Sequence, residues 1–95
     1  MRVIVKVMIP ASAGNKMVKD PNMIKNLEDY IQKFNCEAAY FTEMNGLRTM
    51  VFVLDLSSPD MIPSMAEPLF QAYDANVEIS PAMNFDELKK AFSNK

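Results

Sequence analysis

Histidine and tryptophan are absent from this 95-residue chain, cysteine occurs once and glycine only twice. Each shortage removes a class of chemistry. Without an imidazole, Ser-His and Cys-His nucleophilic arrangements cannot be assembled. Zinc and copper sites draw on His and Cys, which are too few here. The carboxylates Glu37, Glu43, Asp55 and Glu78 fall in separate segments, with no EF-hand spacing for a hard cation. Gly14 and Gly46 stand alone, so there is neither a P-loop nor a dinucleotide fingerprint. No cofactor is expected. A lone Cys36 excludes an intrachain disulfide framework and fits a reducing, cytoplasmic location. With no activating cation in evidence, it reads as a small buried hydrophobe in preference to a nucleophile.

Basic runs are also missing. With a net charge of −2 and no stripe of Lys and Arg, a nucleic-acid surface is not expected. The apolar N-terminal segment is short and interrupted by Arg2 and Lys6, so it reads as a strand, not as a signal peptide or membrane span. What remains is ordinary for a folded domain: 49% hydrophobic and 23% charged residues, enough for one domain over residues 1–95 with one small core. Nine methionines lend that interior, or a contact surface, adaptability.

Along the chain the pattern alternates between two periods. Val3, Val5, Val7 and Ile9 share one parity and Ile4, Lys6 and Met8 the other, which predicts a strand with one fully apolar side. Residues 11–19 contain Ser12, Gly14 and Asn15 and read as a loop with at most a short helical turn. Asp20-Pro21 predicts a helix start, followed by an apolar stripe of Ile24, Leu27, Ile31 and Phe34. Residues 36–44 and 47–56 are strand-forming runs separated by Asn45-Gly46, the signature of a type I′ hairpin. That turn pairs Met44 with Leu47, Thr42 with Thr49 and Tyr40 with Val51, and on the other face Glu43 with Arg48, Phe41 with Met50 and Ala39 with Phe52. Glu43 and Arg48 are expected to form a surface ion pair.

Ser58-Pro59 predicts the next helix, with Ile62, Met65, Leu69 and Tyr73 as its stripe and Pro68 as a kink or break. Residues 76–83 return as a strand, placed at an edge by Pro81. Asn84-Phe85-Asp86-Glu87 reads as a capping box opening a short terminal helix, with Leu88 and Phe92 spaced to dock.

Two split β-α-β units imply an α+β, ferredoxin-like β-α-β-β-α-β sandwich with the first and third strands central and helices on one face. The other face would then carry Ile4, Lys6, Met8, Tyr40, Thr42, Thr49, Val51, Val53, Glu78 and Ser80, too apolar a surface to remain wet. A second copy covers it most simply, which predicts a homodimer.

Three segments, EAAYFTEMNG (37–46), AEPLFQAYDANVEI (66–79) and Pro81-Ala82-Met83 followed by Glu87-Leu88, resemble a small single-domain family within the dimeric α+β barrel superfamily. The resemblance implies two ferredoxin-like subunits packed sheet to sheet. It specifies a fold and no reaction, since that superfamily spans cofactor-independent monooxygenases, lactone isomerases, haem-degrading enzymes and ligand-binding domains. The haem-degrading members generally use a histidine, which this chain lacks.

The candidate ligand-binding residues are Lys6, Tyr40, Thr42, Thr49 and Glu78, a few polar groups on an apolar sheet face. Two functional readings stand. One is a homodimer that binds a small apolar molecule in the barrel interior without catalysis, or is structural. The other is a cofactor-independent oxygenase or isomerase using Tyr40, Lys6 and Glu78. A module that accepts a peptide strand at a sheet edge is a third. No membrane partner is expected.

Overall fold

The computed structural model describes residues 1–93. Its elements are β1 (Arg2–Ile9), α1 (Ala11–Lys19), α2 (Met23–Lys33), β2 (Ala38–Met44), β3 (Leu47–Asp55), α3 (Met61–Tyr73), β4 (Asn76–Pro81) and α4 (Phe85–Ser93). They build an α+β fold around one open, four-stranded antiparallel sheet in the order β2-β3-β1-β4. The inner strands are β1 and β3, as their apolar content predicts, and the Pro81 strand is an edge.

The alternation of β1 sets the layers. Val3, Val5, Val7 and Ile9 are at most 1% exposed, while the intervening residues are half-buried. Across the ladders, Val5 lies opposite Phe52 and Ile79, and Val7 opposite Met50 and Val77, so one side of the sheet is continuously apolar. Helices α2 and α3 cover that side, contributing Leu27, Met65 and Leu69 to the same core. Tyr30 ties these layers together. Its ring packs on Phe34 and Phe52, with centroids 4.7 and 5.1 Å away, and its hydroxyl donates to the Met65 carbonyl at 2.9 Å. Burial pushes the Tyr30 phenol well above its ordinary range, so it remains a donor.

The hairpin has the predicted register at every pair from Met44↔Leu47 to Ala39↔Phe52. Asn45 and Gly46 both hold positive φ, 56° and 75°, as a type I′ turn requires. Elsewhere Asn35 and Asp74 adopt left-handed backbone just past the C-termini of α2 and α3, the role usually given to glycine.

Five expectations need correction. Residues 11–19 form a regular helix, α1, which adds an element to the anticipated order; it buries Ala13 and Gly14 against its neighbours at the Ile9 end of β1. Asp20 does not cap a helix starting at Pro21. Its carboxylate accepts from the Asn22 backbone at 2.9 Å in a turn, and α2 begins at Met23. Pro68, expected as a kink or break, does not break α3, which runs on to Tyr73 with Met65, Ala66 and Leu69 buried. Ile24, placed in the buried stripe of α2, is 68% exposed and lines an open concavity beside Phe41.

The fifth correction concerns α4. The capping box forms as predicted, Glu87 N–H to Asn84 Oδ1 at 2.8 Å and Asn84 N–H to Glu87 Oε1 at 3.0 Å. Leu88 and Phe92, however, are 38% and 62% exposed, and no described residue of α4 is buried. Helices α2 and α3 already occupy the covered face of the sheet. What holds the base of α4 is Arg2, whose guanidinium bridges Glu87 and Glu37. The chain is accordingly elongated, 52 × 27 × 19 Å, with a radius of gyration of 14.9 Å against the ~12 Å of a compact domain of this length.

A Cβ at Gly46 would meet nothing within 4 Å, so Gly46→Ala isolates the backbone term. Chemical denaturation should show a loss of ~1–2 kcal/mol. The capping hydrogen bond from the Asn84 backbone, followed by Arg2, holds the Glu87 carboxylate below its ordinary value of 4.5. Because the folded value is depressed, this contribution is complete above pH 4.5 and is lost as pH falls through the lowered value. The amides of Asn84 and Glu87 should therefore titrate together below that pH by NMR, and Glu87→Gln should remove the transition.

Candidate functional site

The residues opposite in parity to the core lie on a sheet face without helices. Cross-strand pairing arranges them in rows. One row runs Tyr40, Val51, Lys6, Glu78; the rows beside it run Thr42, Thr49, Met8, Asn76 and Ala38, Val53, Ile4, Ser80. Every candidate residue anticipated from the sequence thus falls in two adjacent rows. The centre of the face, Ile4, Met8, Val51 and Val53, is apolar and half-buried within one chain, and Tyr40 at the β2 edge is 64% exposed.

The polar groups do not converge equally. Lys6 Nζ stands 3.6 Å from Glu78 Oε1, an ion pair between the inner strand β1 and the edge strand β4. Both side chains are more than a third exposed, so the pair is solvent-screened. Tyr40 sits two strands from Lys6, on the order of 10 Å at normal strand spacing. Among these three, Lys6 and Glu78 are the pair brought within reach of each other, while Tyr40 stands on the far side of β3. Thr49 is 2% exposed and donates its hydroxyl to the Leu47 carbonyl at 3.0 Å. Its hydroxyl proton is therefore already committed.

The other reactive candidates stay quiet. Cys36 is half-buried, and burial pushes its thiol up, away from the nucleophilic thiolate. Glu67, the carboxylate that the sequence sets beside Pro68 at an expected helix irregularity, lies on the exposed side of α3 and receives a long contact from Gln71 at 3.5 Å. Among the described residues no three His, Cys, Asp or Glu side chains gather as a metal site, and no helix is long and apolar enough to cross a membrane.

One expectation about charge fails. Glu43 and Arg48 are direct cross-strand partners, yet they form no ion pair. The Glu43 carboxylate accepts from the Gly46 backbone at 2.9 Å, and the Arg48 Nη2 donates instead to Asn15 Oδ1 at 3.2 Å. Arg48 thereby joins an open pocket of about 400 Å³ between α1, α2 and the hairpin, on the helix side of the sheet. Thr42 and Thr49 border it as well. Sequence reasoning missed this pocket because it depends on α1 being a helix; the available signal was the helix-facing parity of Arg48 among apolar neighbours. No protein-family model matches the chain, and no curated protein matches it as a relative.

For the Lys6–Glu78 pair, a double-mutant cycle with Lys6→Met and Glu78→Gln should return a coupling below ~1 kcal/mol in thermal or chemical denaturation. A larger coupling would mean that the pair is desolvated in solution.

Proposed function

We propose that this chain is a ferredoxin-like domain that works as a homodimer, two copies packing bare sheet to bare sheet as a dimeric α+β barrel. Its interior holds a small, largely apolar molecule and performs no catalysis. The observation that carries the reading is the unbacked sheet face, with Ile4, Met8, Val51 and Val53 at its centre and the Lys6–Glu78 pair across it. Apolar surface of this extent marks an interface more often than a monomer's exterior.

Size supports a second copy as the cover. Four strands about 4.8 Å apart and about 27 Å long give a flat footprint on the order of 500 Å². A stable dimer buries ~800 Å² per partner. The exposed Met83, Phe85 and Leu88 on and beside α4 are apolar surface of the kind that makes up the difference. In such a dimer Lys6, Tyr40, Thr42 and Glu78 of both copies face one enclosed space, and their spread over the sheet suits orientation of a ligand better than proton transfer.

Native mass spectrometry of protein purified gently from its own cells reads stoichiometry and retained mass together. A dimer is expected, with additional mass identifying the interior ligand. Val51→Lys should raise the dimer dissociation constant at least about thirtyfold while circular dichroism stays unchanged. A wild-type chain that sediments as a monomer at tens of micromolar would overturn the reading.

A further inference from the structure

The pocket beside Arg48 lies on the helix side of the sheet and shares only Thr42 and Thr49 with the face invoked for the dimer, so its other walls stand on separate evidence. Its walls are Met17 of α1, Met23, Ile24 and Leu27 of α2, and Phe41 and Met50 of the hairpin. Ile24 and Phe41 are 68% and 55% exposed, two large apolar side chains left facing solvent at one opening. A second concavity of about 300 Å³ shares Ile24, Leu27 and Phe41 and continues along α2 to Ile31 and Gln32. Together they form an apolar trough between α2 and the edge strand β2. A volume of this size and a lining this apolar are typical of small-molecule sites, and three methionines give it adjustable walls.

The charges at the two ends differ. Arg48 is the one charged residue bordering the larger concavity, and Glu28 the one bordering the smaller. The Arg48 guanidinium forms no ion pair with any described carboxylate and spends a single N–H on Asn15. Its placement is built in. Gly14, inside α1, lets Arg48 lie against the helix: an added Cβ would fall 2.5 Å from Nη1 and 3.0 Å from Cδ. Glycine within a helix is unfavourable by ~1 kcal/mol relative to alanine, and a Cβ here would make the Arg48 side chain shift from this position.

We propose that the trough binds an amphipathic anion, an apolar chain carrying one carboxylate, with the head on Arg48 and the tail along α2. The guanidinium offers a planar fork of donors that matches a carboxylate. The tail runs from Met23 past Ile24 towards Ile31, and the rise of α2 over Ile24 to Ile31 is about 10 Å, which suits a chain on the order of ten carbons. The reverse orientation would set the head beside Glu28.

Decanoate, below its micellar range, is the probe, with decanol as the uncharged comparison. Titration followed by methyl NMR should show saturable decanoate binding with shifts at Met17, Met23, Met50 and Ile24. Decanol should bind about tenfold or more weakly, the usual weight of a charge-assisted contact. Arg48→Met should bring decanoate down to the level of decanol, whereas Lys89→Met, which removes the same charge on α4, should not. Gly14→Ala keeps the charge but displaces the guanidinium, and should also narrow the decanoate preference. Undiminished binding by Arg48→Met, equal binding of decanol, shifts confined to Ile4, Met8 and Val51, or no saturable binding would each overturn the proposal.

Discussion

The pleat of β1 is the constraint on which everything else rests. It is the one strand paired on both sides by strands from distant parts of the chain, β3 and β4. Because side chains alternate with a period of two, four buried β-branched residues on one parity dictate where the helices go and leave the other parity bare. A shift of one residue in either ladder would expose Val5 and Val7 and bury Lys6. That penalty holds the register of β3 and β4 as firmly as the Asn45-Gly46 turn holds β2.

Scarcity of glycine shapes the connections. Asn35, Asn45 and Asp74 take left-handed backbone where glycine would be the easier choice, leaving Gly46 to the hairpin and Gly14 to the close approach of Arg48. The two arginines then act at opposite ends of the sheet. Arg2 gathers Glu37 and Glu87 at one end and anchors a helix that buries none of its described residues. Arg48, at the other, leaves its cross-strand glutamate for α1 and supplies the only charge beside an apolar pocket. Two surfaces result, a sheet face suited to a second copy and a trough suited to a small amphiphile.

The parts legible in the chain were those governed by local rules. Alternation in Val3 to Ile9, the Asn-Gly turn and the Asn84/Glu87 capping box each act over a few residues, and each appears with the anticipated geometry. The common face of Lys6, Tyr40, Thr42, Thr49 and Glu78 followed from the same alternation. Illegible were the features set by competition. Ser12, Gly14 and Asn15 weaken a helix by propensity, yet α1 forms because Ala13 and Gly14 pack against its neighbours. Pro68 removes one backbone bond, yet burial of Met65 and Leu69 outweighs it. Arg48 had two partners in reach, and which one it took depends on the position of α1.

By itself the sequence determined the strand parities, the hairpin register and the exclusion of histidine- and disulfide-based chemistry, because periodicity and composition are properties of the chain alone. Only the tertiary structure decided that residues 11–19 form a helix, that α4 buries none of its described residues, and that a pocket opens beside Arg48. Those depend on distances between segments remote in sequence, which packing sets and no local pattern encodes.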